Sequence, residues 1–294
     1  MIFINPDKVF KPSFTVPRPI ILISRGFQFI SHQLTALFAA KLFTTPFNFK
    51  TPQREKAMEK SAQKKYLQID AIGKKIHLLS YGYSKKKVLF VHGWAGRSTQ
   101  LFMIADKLLE KGYMVISFDG PAHGKSSGKT TMLPEFLETI SVIDKEFGPF
   151  DAAVGHSFGG MALYNAVAST LKLKSLVTVG SGDKISDITR DFTNKLQVKP
   201  IIADKMMQLY HKKVGKNIDE FSPSWVAKDI KIPTLVVHDS LDGDVPVSCA
   251  INIRQKLENG ELLITHGLGH TKILRDKETI RKIVAFIIKK TSES

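Results

Sequence analysis

A chain of 294 residues, 43% of them hydrophobic, 9% aromatic and 24% charged, has an ordinary globular composition, which excludes collagen-like, coiled-coil and disordered classes. Folding at this length buries about 75% of the unfolded chain's surface, so no disulfide scaffold is needed, and the single Cys249 can supply none. The 43 Lys and Arg against 27 Asp and Glu leave a formal charge of +16, which favours an anionic partner but says nothing of fold.

The chain opens Met-Ile-Phe-Ile-Asn-Pro-Asp, unlike the basic start of a secretory leader. Together with the lone thiol this gives the expectation of a reducing, cytoplasmic location. Residues 20–43 are apolar but interrupted by Arg25, Gln28, His32, Gln33 and Lys41. They fall short of the roughly 18 consecutive apolar residues of a spanning helix. Within them Ile23, Phe27, Ile30, Leu34, Leu37, Phe38 and Leu42 recur at helical spacing. That predicts one amphipathic helix packed on the main domain, with a membrane-surface or partner-binding helix as the second reading. Prolines 12, 17 and 19 before it, and 46 and 52 after it, set residues 1–60 apart as an N-terminal helical arm.

Residues 61–294 read as one domain. Residues 66–72 and 75–80 alternate like the arms of a hairpin around Gly73. Strands are then expected over 88–91, 113–118, 151–155, 173–179, 234–237 and 261–265. Helices are expected over 101–109, 133–147, 158–168, 250–257 and 279–288, with Gly112 as a helix stop. Strands alternating with helices imply an α/β fold, a mostly parallel sheet with helices on both faces. The alternation lapses over about 183–231, where only helical patches at 206–210 and 225–227 stand out. That stretch is too long for a plain loop and reads as a small helical cap.

The chemistry centres on Gly155-His156-Ser157-Phe158-Gly159, a G-x-S-x-G at a strand-to-helix turn. A nucleophile raised on so sharp a turn forces unfavourable backbone angles and needs neighbours nearly free of side chain, which Gly155, Gly159 and Gly160 supply. The N–H of Phe158, opening the helix, points where an oxyanion would form. In strand-turn-helix hydrolases the acid and then the base follow the serine along the chain. Asp239, Asp242 and Asp244 follow the 234–237 strand; Asp242 is the expected acid, Asp244 the alternative, and Asp239 a turn cap. Only His266 and His270 lie beyond Asp242. His270, in the glycine-rich run Gly267-Leu268-Gly269-His270, is the expected base, with Asp242 orienting it. His266 is expected to serve packing or backbone. Val91-His92-Gly93-Trp94 ends another strand, and Trp94 is the expected second oxyanion donor through its backbone N–H, with its indole free to line an acyl pocket. His92 has no carboxylate or imidazole at ligand spacing, so it reads as structural and no metal site is expected.

With these motifs in hand, the sequence resembles the α/β-hydrolase superfamily, in its serine-nucleophile esterase or lipase-like branch, from about Tyr66 to Ile288. Phe118-Asp119-Gly120-Pro121-Ala122-His123-Gly124-Lys125-Ser126 is similar to that family's D-x-P-G-H-G-x-S loop, with Ala122 in place of the usual glycine. The resemblance implies that Asp119, His123 and Ser126 serve loop architecture, that Asp242 holds the acid position, and that 183–231 is the cap. Phosphate-loop readings of Gly124-Lys125-Ser126 and Gly128-Lys129-Thr130 fail, because Asp119 and His123 stand where the first glycine belongs. No G-x-G-x-x-G follows the first parallel strand.

The expected function is therefore hydrolysis of a carboxylic ester or related acyl bond in a small-molecule substrate by a Ser-His-Asp triad, without a cofactor. The alternatives are acyl transfer, peptide or thioester cleavage with the same triad, or a non-catalytic basic module for anionic lipid. Lysines spread from Lys8 to Lys290 read as a solvated face. Peripheral contact with an anionic membrane stays open, and nucleic acid is not expected, since no reading motif occurs. Oligomeric state is left open.

Overall fold

The computed structural model describes residues 9–292 except Phe14, so the opening residues read above lie outside it. Two helices come first, α1 (Arg18–Ile30) and α2 (His32–Phe43), then the short α3 (Lys56–Ser61). The one helix expected over 20–43 is thus two. Ser31 between them is extended (φ −162°, ψ 129°), and its hydroxyl accepts from the N–H groups of Gln33 and Leu34 to cap α2. The expected buried face is also different. Ser24 is the buried residue of α1, whereas Ile23, Ile30, Leu34 and Leu37 are exposed.

Eight strands follow: β1 (Gln63–Ile69), β2 (Lys74–Tyr81), β3 (Lys87–Val91), β4 (Met114–Phe118), β5 (Ala152–His156), β6 (Ser175–Val179), β7 (Thr234–Asp239) and β8 (Gly260–Thr265). They form one sheet in the order β1-β2-β4-β3-β5-β6-β7-β8. The β1–β2 hairpin turns through a short 3₁₀ segment and Gly73, whose φ of +60° suits a residue without Cβ. β2 is antiparallel to β4, and every pairing from β4 across to β8 is parallel. The α/β class with a mostly parallel sheet is as the sequence implied.

Runs such as Ser-Leu-Val-Thr-Val in β6 are buried throughout because helices cover both faces. On one face α5 (Leu133–Phe147), α6 (Phe158–Ser169) and α10 (Val247–Lys256) bring Phe136, Ile140, Leu163 and Ile253 into one core. On the other, α4 (Phe102–Leu109) and α12 (Lys277–Ser292) contribute Ile104, Leu108, Ile283 and Ile287. Between β6 and β7 lie α7 (Ile185–Lys195), α8 (Ile201–Val214) and α9 (Pro223–Val226) with no described strand. Ala36 and Ala39 of α2 pack with Ile202, Met206 and Tyr210 of α8 in a third cluster, so the arm rests on this helical insertion.

The loop after β4 is held by a buried carboxylate. Asp119 accepts from the N–H groups of Ser98 (2.7 Å) and Lys125 (2.9 Å) and lies 3.0 Å from His77 Nδ1. Ser126 Oγ donates to the Asp119 carbonyl and accepts from the His77 N–H. Ala122 stands at φ +63°, which accounts for the glycine that similar loops carry there. Burial would raise the Asp119 pKa, but the bonds from His77, Ser98 and Lys125 outweigh it and bring it down to about 2. An unfolded Asp titrates near pH 3.9, so the folded state binds fewer protons in that range. The resulting stability is full above about pH 4 and is lost as pH falls through about 2. Asp119→Asn is expected to lower unfolding free energy by about 2 kcal/mol at neutral pH and by much less near pH 2; urea titrations at the two pH values read this directly.

Candidate active site

The order of the strands places two loops side by side. The chain leaves β3 for β4 on one side and returns to β5 on the other, so the carboxyl ends of β3 and β5 meet at a topological switch point, where α/β sheets bind ligands. Ser157 follows β5 there. Its φ of 51° and ψ of −118° are strained for an L-residue, which is what a sharp strand-to-helix turn demands. The turn closes because α6 lies almost on the sheet. A Cβ on Gly159 would stand 2.2 Å from the Val91 carbonyl oxygen, and one on Gly155 2.7 Å from that of Gly159. At Gly160 the nearest atom would be Ser181 Cβ at 3.0 Å, a milder constraint.

Beside the elbow, the loop after β3 is braced without using the N–H of Trp94. His92 Nδ1–H donates to the Gly93 carbonyl at 2.7 Å, and its Nε2 accepts from the N–H of Gly120 at 2.8 Å. Burial lowers the pKa of this imidazole, so it stays neutral and acts as a strut, the structural role expected of it. The Gly93 N–H donates to Gln100 Oε1 at 2.8 Å. Among the described residues neither the Trp94 nor the Phe158 N–H donates to a protein acceptor. A helix start leaves its first N–H groups free, as at Phe158, and the backbone before Trp94 runs close to the elbow: a Cβ on Gly93 would lie 3.1 Å from Ser157 Cβ. The Trp94 ring packs edge-on against Phe158 and His123 at 5.3 and 5.2 Å between centroids, an aromatic wall over the elbow.

The residues expected as acid and base meet. His270 Nδ1 lies 2.7 Å from Asp242 Oδ2, and Asp242 Oδ1 accepts from the N–H groups of Asp244 (2.8 Å) and Val245 (3.0 Å). Burial pushes the Asp242 pKa up, but His270 and the Val245 N–H outweigh it and hold the carboxylate ionised below its ordinary value. The expected glycine-rich loop carrying His270 is instead a single helical turn, α11 (Gly269–Lys272). Gly180, at φ +60° just past β6, makes room for the imidazole: a Cβ there would sit 3.2 Å from its Cε1 and Nδ1. His270 also touches the residue before Ser157, since His156 Nε2–H donates to the His270 carbonyl at 3.0 Å. Burial takes the His156 pKa down to about 3, so it remains a neutral tether. Among the described residues the Ser157 hydroxyl makes no hydrogen bond, to His270 or to any other group.

The alternative residues do other work. Asp239 accepts from Leu241 N–H, Leu268 N–H and Thr265 Oγ1, tying the loops after β7 and β8 together. Asp244 Oδ1 accepts from Ser13 N–H, and exposed His266 pairs with the Ser240 hydroxyl. Asp242, Asp244 and His270 bring ligand atoms within 4.8 Å of one another, but the Asp242 oxygens and His270 Nδ1 are already engaged in the contacts above.

A family model described as the alpha/beta hydrolase family matches residues 88–248, more than half of the chain, and spans both the Trp94 loop and the elbow. The chain belongs to the alpha/beta hydrolase family. A second model, described as TAP-like protein, matches residues 214–292, the part of this alpha/beta hydrolase that carries Asp242 and His270. Over 166 residues the chain is 30% identical to the dihydrolipoyllysine-residue acetyltransferase component of the acetoin cleaving system of Cupriavidus necator, covering 52% of this chain and 44% of that protein. The chain therefore spans less than half the length of that relative. A solved structure from Acinetobacter baumannii assigned as a lipase is similar at TM-score 0.65 and 21% identity, over 84% of this chain and 99% of that one. A bacterial membrane phospholipase A is similar at TM-score 0.63 and 16% identity, over 92% and 96%. At such identities these two likenesses are of fold.

Sequence reading did not find three parts of this alpha/beta hydrolase's site. Gly180 carried the signal of an apolar run ending in glycine, as at the end of β3. His156 offered none beyond its place inside the motif. The third part is the arm: Phe10 N–H donates to the Leu241 carbonyl at 3.1 Å, and its ring lies against Gly269, so residues 10–13 cross the loops that carry Asp242 and His270.

Proposed function

We propose that this alpha/beta hydrolase cleaves a carboxylic ester or related acyl bond through an acyl-serine intermediate. The observation that carries the reading is the 2.7 Å contact between His270 Nδ1 and a buried, ionised Asp242 beside a serine on a strained elbow. With Nδ1–H donated to Asp242, Nε2 is left bare as the acceptor a general base needs. Substrate binding turns the Ser157 hydroxyl to Nε2, a contact that commonly tightens only in the loaded site. Oγ attacks the acyl carbon as its proton passes to His270. The tetrahedral oxyanion takes hydrogen bonds from the Trp94 and Phe158 N–H groups, each worth roughly 10²–10³ in turnover. Imidazolium then protonates the leaving alkoxide. Water, deprotonated by the same imidazole, attacks the acyl-serine and releases the acid.

The names of the lipase and phospholipase neighbours support an acyl ester as substrate. Helices α7 to α9, within 183–231, serve in this reading as the cap over the acyl pocket, and residues 1–60 as an arm. Acyl transfer is the second reading, favoured by the acetyltransferase component among its relatives; an added alcohol would then divert the acyl group from water. Cys249 is half-buried, and burial pushes its thiol up to about 12, so it offers no competing nucleophile at neutral pH. We place the protein in the cytoplasm. Incubation with a fluorophosphonate probe tests the central claim. The native chain should be labelled and Ser157→Ala should not; failure of the native, folded chain to label would overturn it.

A further inference from the structure

We propose that the exposed face of α1 and α2 is a docking surface for an anionic lipid bilayer. Helix α1 inverts the pattern of a helix on a globular domain, where apolar residues turn inward. Its buried residue is Ser24, whose hydroxyl donates to the Ile20 carbonyl, while Phe29 is 87% and Ile30 75% exposed. Leu22 and Ile23 before the bend at Ser31, and Leu34 and Leu37 after it, are exposed as well. The inner side is already used: Phe27 meets Phe38 edge-on at 5.1 Å, Gln28 Oε1 accepts from the Lys199 N–H, and Ala36 and Ala39 sit on α8. Tertiary packing therefore has no further use for the outer stripe, and contiguous exposed apolar surface of this kind marks an interaction site.

Charge identifies the occupant. From Lys8 to Arg54 the chain carries seven basic residues and no Asp or Glu. Arg18, Arg25 and Lys41 border the apolar stripe, are exposed, and form no ion pair with a described carboxylate. An apolar strip edged by unpaired cations matches the boundary between acyl chains and acidic headgroups, where such a helix lies in the plane of the surface. A second copy of this chain fits less well, because a two-fold contact would face these cations with themselves. A nucleic acid would leave Leu22, Phe29 and Ile30 against phosphate. No described helix is long and apolar enough to cross a membrane, so the attachment is peripheral.

The surface stands independently of the catalytic reading. The full chain is mixed with phosphatidylcholine vesicles, or with vesicles containing about a third phosphatidylserine, and sedimented. Binding to the anionic vesicles should exceed that to the neutral ones by about tenfold or more at low salt and fall steeply as salt is added. Phe29→Ser with Ile30→Ser should cut binding about tenfold, and Arg18→Gln with Arg25→Gln should erase the preference for anionic vesicles. All four side chains are exposed, so thermal unfolding should not move. Ser157→Ala should bind like the native chain, which separates this surface from the enzyme assignment. Absence of binding to anionic vesicles at low salt, or equal binding by the Phe29→Ser, Ile30→Ser chain, overturns the proposal. So would self-association or DNA binding that this double variant abolishes while vesicles stay unbound.

Discussion

Asp242→Asn is expected to lower turnover of a p-nitrophenyl ester by roughly 10⁴-fold while leaving the fold intact. The loss follows from which atoms the carboxylate serves. Oδ1 accepts two backbone N–H groups, from Asp244 and Val245, and Oδ2 faces His270 Nδ1. An asparagine keeps its carbonyl toward the two N–H donors and turns its NH₂ toward the imidazole. Nδ1 must then accept, the ring proton moves to Nε2, and Nε2 can no longer take the proton of Ser157. The imidazolium formed in the transition state also loses its counter-charge. KM should change little, because Asp242 is buried behind the base and touches no substrate. Steady-state kinetics at pH 7–8 and a thermal melt check both halves of the expectation. A drop below tenfold would remove Asp242 from the orienting role and turn attention to Asp244.

The same contact joins the two residues that the sequence singled out as candidate acid and base. Chain order after Ser157 and the ends of two strands left only Asp239, Asp242 and Asp244, with His266 and His270, as choices. What no local pattern showed was what the other candidates bond to. Asp239 is consumed by Leu241, Thr265 and Leu268, and His266 by Ser240. Those contacts depend on the relative height of the β7 and β8 loops, which no local pattern encodes. The strands were legible for a simple reason: an interior parallel strand buried on both faces must be a short apolar run, and β3, β5, β6 and β7 all are.

The arm is where reading by periodicity misled. Apolar residues at helical spacing say that a helix has an apolar face; they do not say that the face turns inward. Ile23 and Ile30 match the spacing and face out, while Ser24 turns in because its hydroxyl satisfies a carbonyl one turn earlier. The break at Ser31 was also within reach, since serine caps helices. The spacing of the apolar residues runs through it without interruption, and periodicity alone cannot register a bend. Nor does anything in residues 9–13 announce a strap. Phe10 and Ser13 reach Leu241 and Asp244 across more than two hundred residues of sequence, and Gly243 is required there because a Cβ would strike the Phe10 carbonyl at 1.8 Å.

Gly159→Ala is expected to cost about 4 kcal/mol of stability, among the largest losses a single methyl can cause. In an open helix the same change would be stabilising by roughly 0.5–1 kcal/mol, since alanine is the better helix former. Position 159 lies inside α6, so propensity predicts a gain and packing a loss; magnitude decides. The new Cβ would stand 2.2 Å from the Val91 carbonyl oxygen and 2.5 Å from that of His92, both main chain and neither able to swing aside as a side chain would. Relief requires α6 to lift from β3, which would loosen the packing of Ala162 and Leu163 in the core and move the Ser157 elbow away from Trp94. Ordinary overpacking costs about 1–3 kcal/mol, and displacement of a helix that carries core residues costs more. For a chain of this size the melting temperature should fall by about 6–8 °C, with fluorophosphonate labelling slowed even where the variant remains folded. Gly160→Ala is the internal control. Its Cβ would meet Ser181 Cβ at 3.0 Å, a contact relieved when the backbone carrying Ser181 gives by a few tenths of an ångström, so its loss should stay within about 1–2 kcal/mol. Equal stability of the two variants would mean that the close approach of helix to strand is not what holds the serine on its turn.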